Sequence, residues 1–118
     1  MPNDAIIDPD AIENLRALSP DDGDVFLKEI LTIFLSDTPD RIADLHSNRA
    51  CGNTAAFIRA AHSIKGSSSN VGAVELRTVA EKIEHHTRQN GFSLIDQHLT
   101  EIEGAFARAK ENILTIIG

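Results

Sequence analysis

Apolar residues recur at three- and four-residue intervals along nearly the whole chain, the spacing that lines one face of an α-helix. Asp8 followed by Pro9 is an N-cap with proline at the first helical position, and it opens a short helix to about Leu18 that Ser19-Pro20 ends. A longer helix is predicted from about Asp22 to Asn48, with Leu27, Ile30, Leu31, Phe34, Ile42 and Leu45 on its apolar side. Pro39 inside it should kink or briefly interrupt it, because proline removes one backbone donor and crowds the preceding turn. Gly52 punctuates, and Asn53 caps a third helix to about Ser69, whose stripe is Phe57, Ala60, Ala61, Ile64, Ser68 and Val71. Gly72 marks a break before a fourth helix, from about Ala73 to Gln89, with Leu76, Val79, Ala80, Ile83 and Thr87 along one side. Asn90-Gly91 stops it. Ser93, with Asp96 three residues on, resembles a capping box for a last helix carrying Ile95, Leu99, Ile102, Phe106, Ala109, Ile113 and Ile116. No segment shows the period-two alternation of a half-buried strand, so the pattern predicts an all-α fold, an antiparallel four-helix bundle with a short N-terminal capping helix.

The 118 residues suffice for one domain with one hydrophobic core, expected to span 1–118, and no linker or repeat divides them. The N-terminus, Met1-Pro2-Asn3-Asp4, lacks the basic start of a signal peptide, and no run approaches the roughly 20 apolar residues of a spanning helix, so a cytoplasmic chain off the membrane is expected. The lone Cys51 allows no internal disulfide and no cysteine-based metal site. A net charge of −7 argues against nucleic-acid phosphates or anionic lipid as partners. That acidity is concentrated in the first part of the chain: residues 1–48 hold 11 acids against 3 bases, whereas residues 49–118 hold 7 acids against 8 bases.

Candidate chemistry lies in the third helix. At 3.6 residues per turn Ala55, Ile58, Arg59, His62, Lys65, Gly66 and Ser69 share a face turned away from the Phe57/Ile64 stripe, which puts His62 in solvent on a rigid element. Lys65, one turn along, is placed to offset the charge of a phosphoryl group on the imidazole. Gly66 costs roughly 1 kcal/mol of helix stability relative to Ala, which calls for a reason: close approach of a partner to His62, or close packing of two helices. Ser67, Ser68 and Ser69 keep the surface low and can bond to backbone or phosphate oxygens.

The run His62-Ser63-Ile64-Lys65-Gly66-Ser67-Ser68, followed by Asn70, Gly72-Ala73 and Leu76, resembles the signature of histidine phosphotransfer domains, and the likeness extends over nearly the whole chain. The resemblance implies that His62 takes a phosphoryl group from the phosphoaspartate of one receiver domain and passes it to another, with Lys65 as supporting cation and Gly66 giving access. It also implies that the receiver supplies the divalent metal and the acidic pocket, so no cofactor or metal is expected here. Receiver (response-regulator) domains, or a hybrid histidine kinase, are the implied partners of a monomeric carrier. The helical face adds Ala55 and Ile58 as an apolar docking patch, Arg59 as a cation for an acidic receiver site, and Ser69 at its edge. Nothing resembles a nucleotide-binding glycine loop, so no ATP-dependent kinase activity is expected in this chain. Two rival readings are an adaptor that binds a receiver without transfer, and a metal site at Glu81, Glu84, His85 and His86. The second lacks partner ligands on facing helices. His46 and His98 read as surface or boundary residues, and the acidic N-terminal third as a solubilising face.

Overall fold

The computed structural model describes residues 6–118; the Met1 to Asp4 stretch read above for targeting lies outside them. Five helices follow in order: α1 (Pro9–Ala17), α2 (Val25–Cys51), α3 (Thr54–Val71), α4 (Val74–Asn90) and α5 (Ile95–Ile117). Each of α2 to α5 packs on the next across a turn of two to four residues, which sets neighbours antiparallel, and α2 also packs on α5 to close a four-helix bundle.

The core is what the periodicity specifies. Leu27, Leu31 and Leu45 of α2, Phe57 and Ile64 of α3, Leu76 and Ile83 of α4, and Ile95, Ile102 and Ile113 of α5 are all fully buried. Each such side chain contributes roughly 1.5–3 kcal/mol on leaving water. At the end of the bundle with the α2–α3 turn, Phe57 meets Phe92 edge to face at 5.0 Å, and the Arg49 guanidinium lies 5.3 Å above the Phe92 ring.

Local chemistry sets the boundaries. The Asp8 carboxylate accepts from the Asp10 amide at 2.9 Å and caps α1, and Asn53 Oδ1 accepts from the Ala56 amide at 3.1 Å and caps α3. The chain before α1 is tied to the α3–α4 turn by Asp8 N–H to Gly72 O at 2.8 Å and Val74 N–H to Ile6 O at 3.1 Å. Gly72 has φ +74°, and a Cβ there would stand 2.5 Å from the Ala11 Cβ, so both conformation and contact require glycine.

Three expectations are corrected. Helix α2 runs unbroken from Val25 to Cys51 through Pro39, with no interruption. The proline ring is on the exposed side, so its cost is one backbone bond, while buried Phe34, Thr38 and Ile42 hold the helix on the core; the Thr38 hydroxyl donates to Phe34 O at 2.7 Å. The helix starts at Val25 rather than near Asp22, whose carboxylate instead accepts from the Phe26 amide. Ser93 forms no capping box either: α5 begins after Leu94, held in the left-handed region at φ 59°, with no side-chain cap. The Ser93 carbonyl accepts from the His86 ring instead.

Candidate functional site

With Phe57, Ala60, Ala61, Ile64, Ser68 and Val71 all in the core, the opposite side of α3 faces out. Ala55, Arg59, His62, Gly66 and Ser69 are exposed there, while Ile58 and Lys65 are half-buried. Sequence reasoning therefore placed the face correctly. A Cβ added to Gly66 would meet no atom within 4 Å, which leaves the helix-packing explanation of this glycine without a neighbour to pack on. The serines turn back on their own helix: Ser67 Oγ donates to Ser63 O at 3.1 Å and Ser69 Oγ to Lys65 O at 3.0 Å.

What the sequence did not yield is Glu84. It lies on α4, is buried, and points its carboxylate at the His62 face of α3. Glu84 Oε2 receives His62 Nδ1 at 3.2 Å and Arg88 Nη2 at 3.0 Å, and Lys65 Nζ stands 2.9 Å from Oε1. The Lys65 contact is an ion pair rather than an aligned hydrogen bond, so Oε1 is a buried oxygen whose charge is met by Lys65. Burial pushes the Glu84 carboxyl up, but the contacts of Lys65 and Arg88, the charge of Lys65 and the His62 hydrogen bond outweigh it and bring it to about 2.

An ionised carboxylate can only accept. Nδ1 of His62 must therefore carry the proton in its bond to Glu84, and in the neutral ring the lone pair falls on Nε2. The side chain of His62 is 64% exposed, so a nucleophilic nitrogen is presented to solvent by a ring whose tautomer and tilt are set from beneath. Three of the other histidines are engaged differently, and His85 is exposed on α4. His46 bonds Glu103 through Nε2 at 2.7 Å, His86 bonds the Ser93 carbonyl through Nε2, and His98 is half-buried against the His86 ring with Nδ1 3.2 Å from Glu101.

Glu84 could have been found in the sequence: it is four residues after Ala80 and three before Thr87, inside the α4 stripe that faces the core. The rival metal reading loses two of its members to other work, since Glu84 belongs to the His62 cluster and Glu81 pairs with Arg77 at 3.4 Å. Among the described residues no group of three or more metal-ligating side chains converges.

The bundle thus presents the His62 imidazole outward, backed by the buried Glu84 carboxylate and the cations of Lys65 and Arg88. Residues 29–112 match the Hpt domain family. The chain belongs to that family, and its function is histidine phosphotransfer in phosphorelay signalling. The family is one of phosphocarriers rather than kinases, and its members interact with receiver and kinase domains of two-component systems. The histidine-containing phosphotransfer protein B (HptB) of Pseudomonas aeruginosa PAO1 shares the fold, with a TM-score of 0.87 and 24% identity over 98% of this chain and 96% of that one. No curated protein sequence matches the chain. Among the described residues no helix is long and apolar enough to cross a membrane.

Proposed function

We propose that His62 is the phosphoacceptor and that this chain is a monomeric, cytoplasmic carrier, one domain over 1–118, moving a phosphoryl group between receiver aspartates. The observation that carries the assignment is the pairing of an exposed imidazole with a buried, ionised Glu84 on Nδ1. In the forward step the Nε2 lone pair forms the bond to phosphorus as the phosphorus–oxygen bond of the phosphoaspartate breaks, and the aspartate leaves with the electron pair. No proton has to move. The ring becomes a phosphoimidazolium whose Nδ1–H already faces the Glu84 carboxylate, so the charge that develops is met at once. The return step reverses these bonds onto a second aspartate, with a divalent metal supplied by the receiver.

Around this atom Ala55 and Ile58 offer apolar contact, Arg59 faces the acidic receiver pocket, and Gly66 and Ser69 keep the surface low enough for close approach. Lys65 acts mainly by holding Glu84 ionised.

Purified receiver domains, charged with labelled phosphate, test the reading against the wild type and His62→Gln. Transfer to the wild type and back, with none to a folded His62→Gln, is the expected result. Acid-labile phosphate on the folded variant would place the site elsewhere.

A further inference from the structure

We propose that His86 of α4 and His98 of α5 form a two-imidazole site for a divalent first-row metal ion, zinc in particular, in the groove between the two helices. The site is separate from His62 and does not depend on what His62 carries. Its two members stand on opposite sides of the turn that joins α4 to α5, so only the packing of these helices brings them together. The sequence pointed instead at Glu81, Glu84, His85 and His86, all on one helix.

Two observations carry the site. The first is spacing: the ring centres are 5.1 Å apart, with the planes tilted by 58°. Zinc bonds an imidazole nitrogen at about 2.0–2.1 Å, which puts the ion about 3.2 Å from a ring centre, so two rings on one tetrahedral ion have centres about 5.2 Å apart. His86 and His98 already have that spacing. The second is which nitrogens are free. The Ser93 carbonyl can only accept, so His86 Nε2 carries a proton and donates to it, leaving the lone pair of the neutral ring on Nδ1. The Glu101 carboxylate likewise accepts from His98 Nδ1 at 3.2 Å, leaving the lone pair on Nε2. Each ring thus has an oxygen on its other nitrogen, the contact by which ligating histidines are fixed in tautomer and orientation.

The surroundings admit a cation. Both imidazoles line an open groove, with Glu81 and Gln89 also on its walls. Lys82 lies one turn before His86, but its ammonium is 2.9 Å from Glu101 Oε2, so its charge is met by the same carboxylate that holds His98. Among the described residues no third ligand converges on the pair, so water completes the ion's shell. Two imidazole nitrogens select zinc, copper or nickel over magnesium or calcium, which prefer oxygen. A bound ion joins α4 to α5 beside their turn, a cross-link that the unfolded chain does not offer.

Zinc chloride added to the full chain tests this. Nitrogen-15 NMR of the imidazoles should show His86 Nδ1 and His98 Nε2 shifting together and saturating at one ion per chain, with His46, His62 and His85 unmoved. The melting temperature should rise with zinc. His86→Gln and His98→Gln should each weaken binding by about tenfold or more, at least what losing the outer partner of a ligand costs, and should lose the zinc-dependent rise. His85→Gln, at an exposed position, should bind as the wild type does. Magnesium chloride should move neither ring. Saturation at His62 or His85 instead, a shift of His86 without His98, or binding unchanged in His86→Gln overturns the proposal. The wild-type spectra decide it even where His98→Gln, at a half-buried position, folds poorly.

Discussion

His62 Nδ1 lies 3.2 Å from Glu84 Oε2, joining an exposed residue of α3 to a buried one of α4 across 22 positions of sequence. This contact decides which nitrogen of the ring is available, and it exists only because two helices with separate apolar stripes pack side by side.

Removing the carboxylate should therefore harm chemistry more than any neighbouring change. Glu84→Ala should slow phosphorylation of His62 by about tenfold or more, since a hydrogen bond to a charged group is worth roughly 1.5–3 kcal/mol. Glu84→Gln, whose amide oxygen can still accept from Nδ1, should recover part of that rate. Initial rates with one charged receiver check both; equal rates in Ala and Gln variants would mean that Nδ1 needs no acceptor.

The same residue sets a pH dependence. Its carboxyl is lowered from 4.5 to about 2 in the fold, so the ionised form favours folding. That contribution, up to about 3 kcal/mol, is complete above pH ~4.5 and disappears as pH falls towards ~2. Urea unfolding of wild type and Glu84→Gln between these limits should give a difference that shrinks with acid. A constant difference would separate Glu84 from acid stability.

Gly66→Ala should raise stability by up to about 1 kcal/mol, because the helix gains propensity and the new methyl meets open space. Gly66→Gln should fold yet slow exchange with a receiver by standing over the approach to His62. Thermal melting and transfer rates on both variants check this, and unchanged transfer in Gly66→Gln would remove access as the explanation.

Gly72 gives the opposite forecast at another glycine. Gly72→Ala should cost at least about 1–2 kcal/mol, from a left-handed backbone and a clash with Ala11 in α1. A melting temperature equal to wild type would show that α1 does not hold the α3–α4 turn.

Helix faces were legible in the sequence because burial follows the helical repeat; all six stripe positions of α3 are in the core, and the residues assigned with His62 point outward. Beside Glu81, His85 and His86 the sequence offers Glu84 as a metal candidate, and nothing in its local pattern ties it to His62. Only the packing of α4 against α3 buries it and supplies Lys65. The misplaced start of α5 has a similar origin: Ser93 had the right chemistry for a cap, but Leu94 takes a left-handed conformation and the chain enters the helix one residue later. The sequence places Lys65 one turn from His62, but not its ammonium against Glu84 Oε1, because that contact needs α4.

The central claim is that Glu84 fixes the proton on Nδ1 so that His62 Nε2 takes the phosphoryl group. Nitrogen-15 and phosphorus-31 NMR on the imidazoles of the phosphorylated chain reads both features in one sample. The account predicts a proton on Nδ1 and phosphorus coupled to Nε2 of His62; phosphorus on Nδ1, or on His46, His85, His86 or His98, would contradict it.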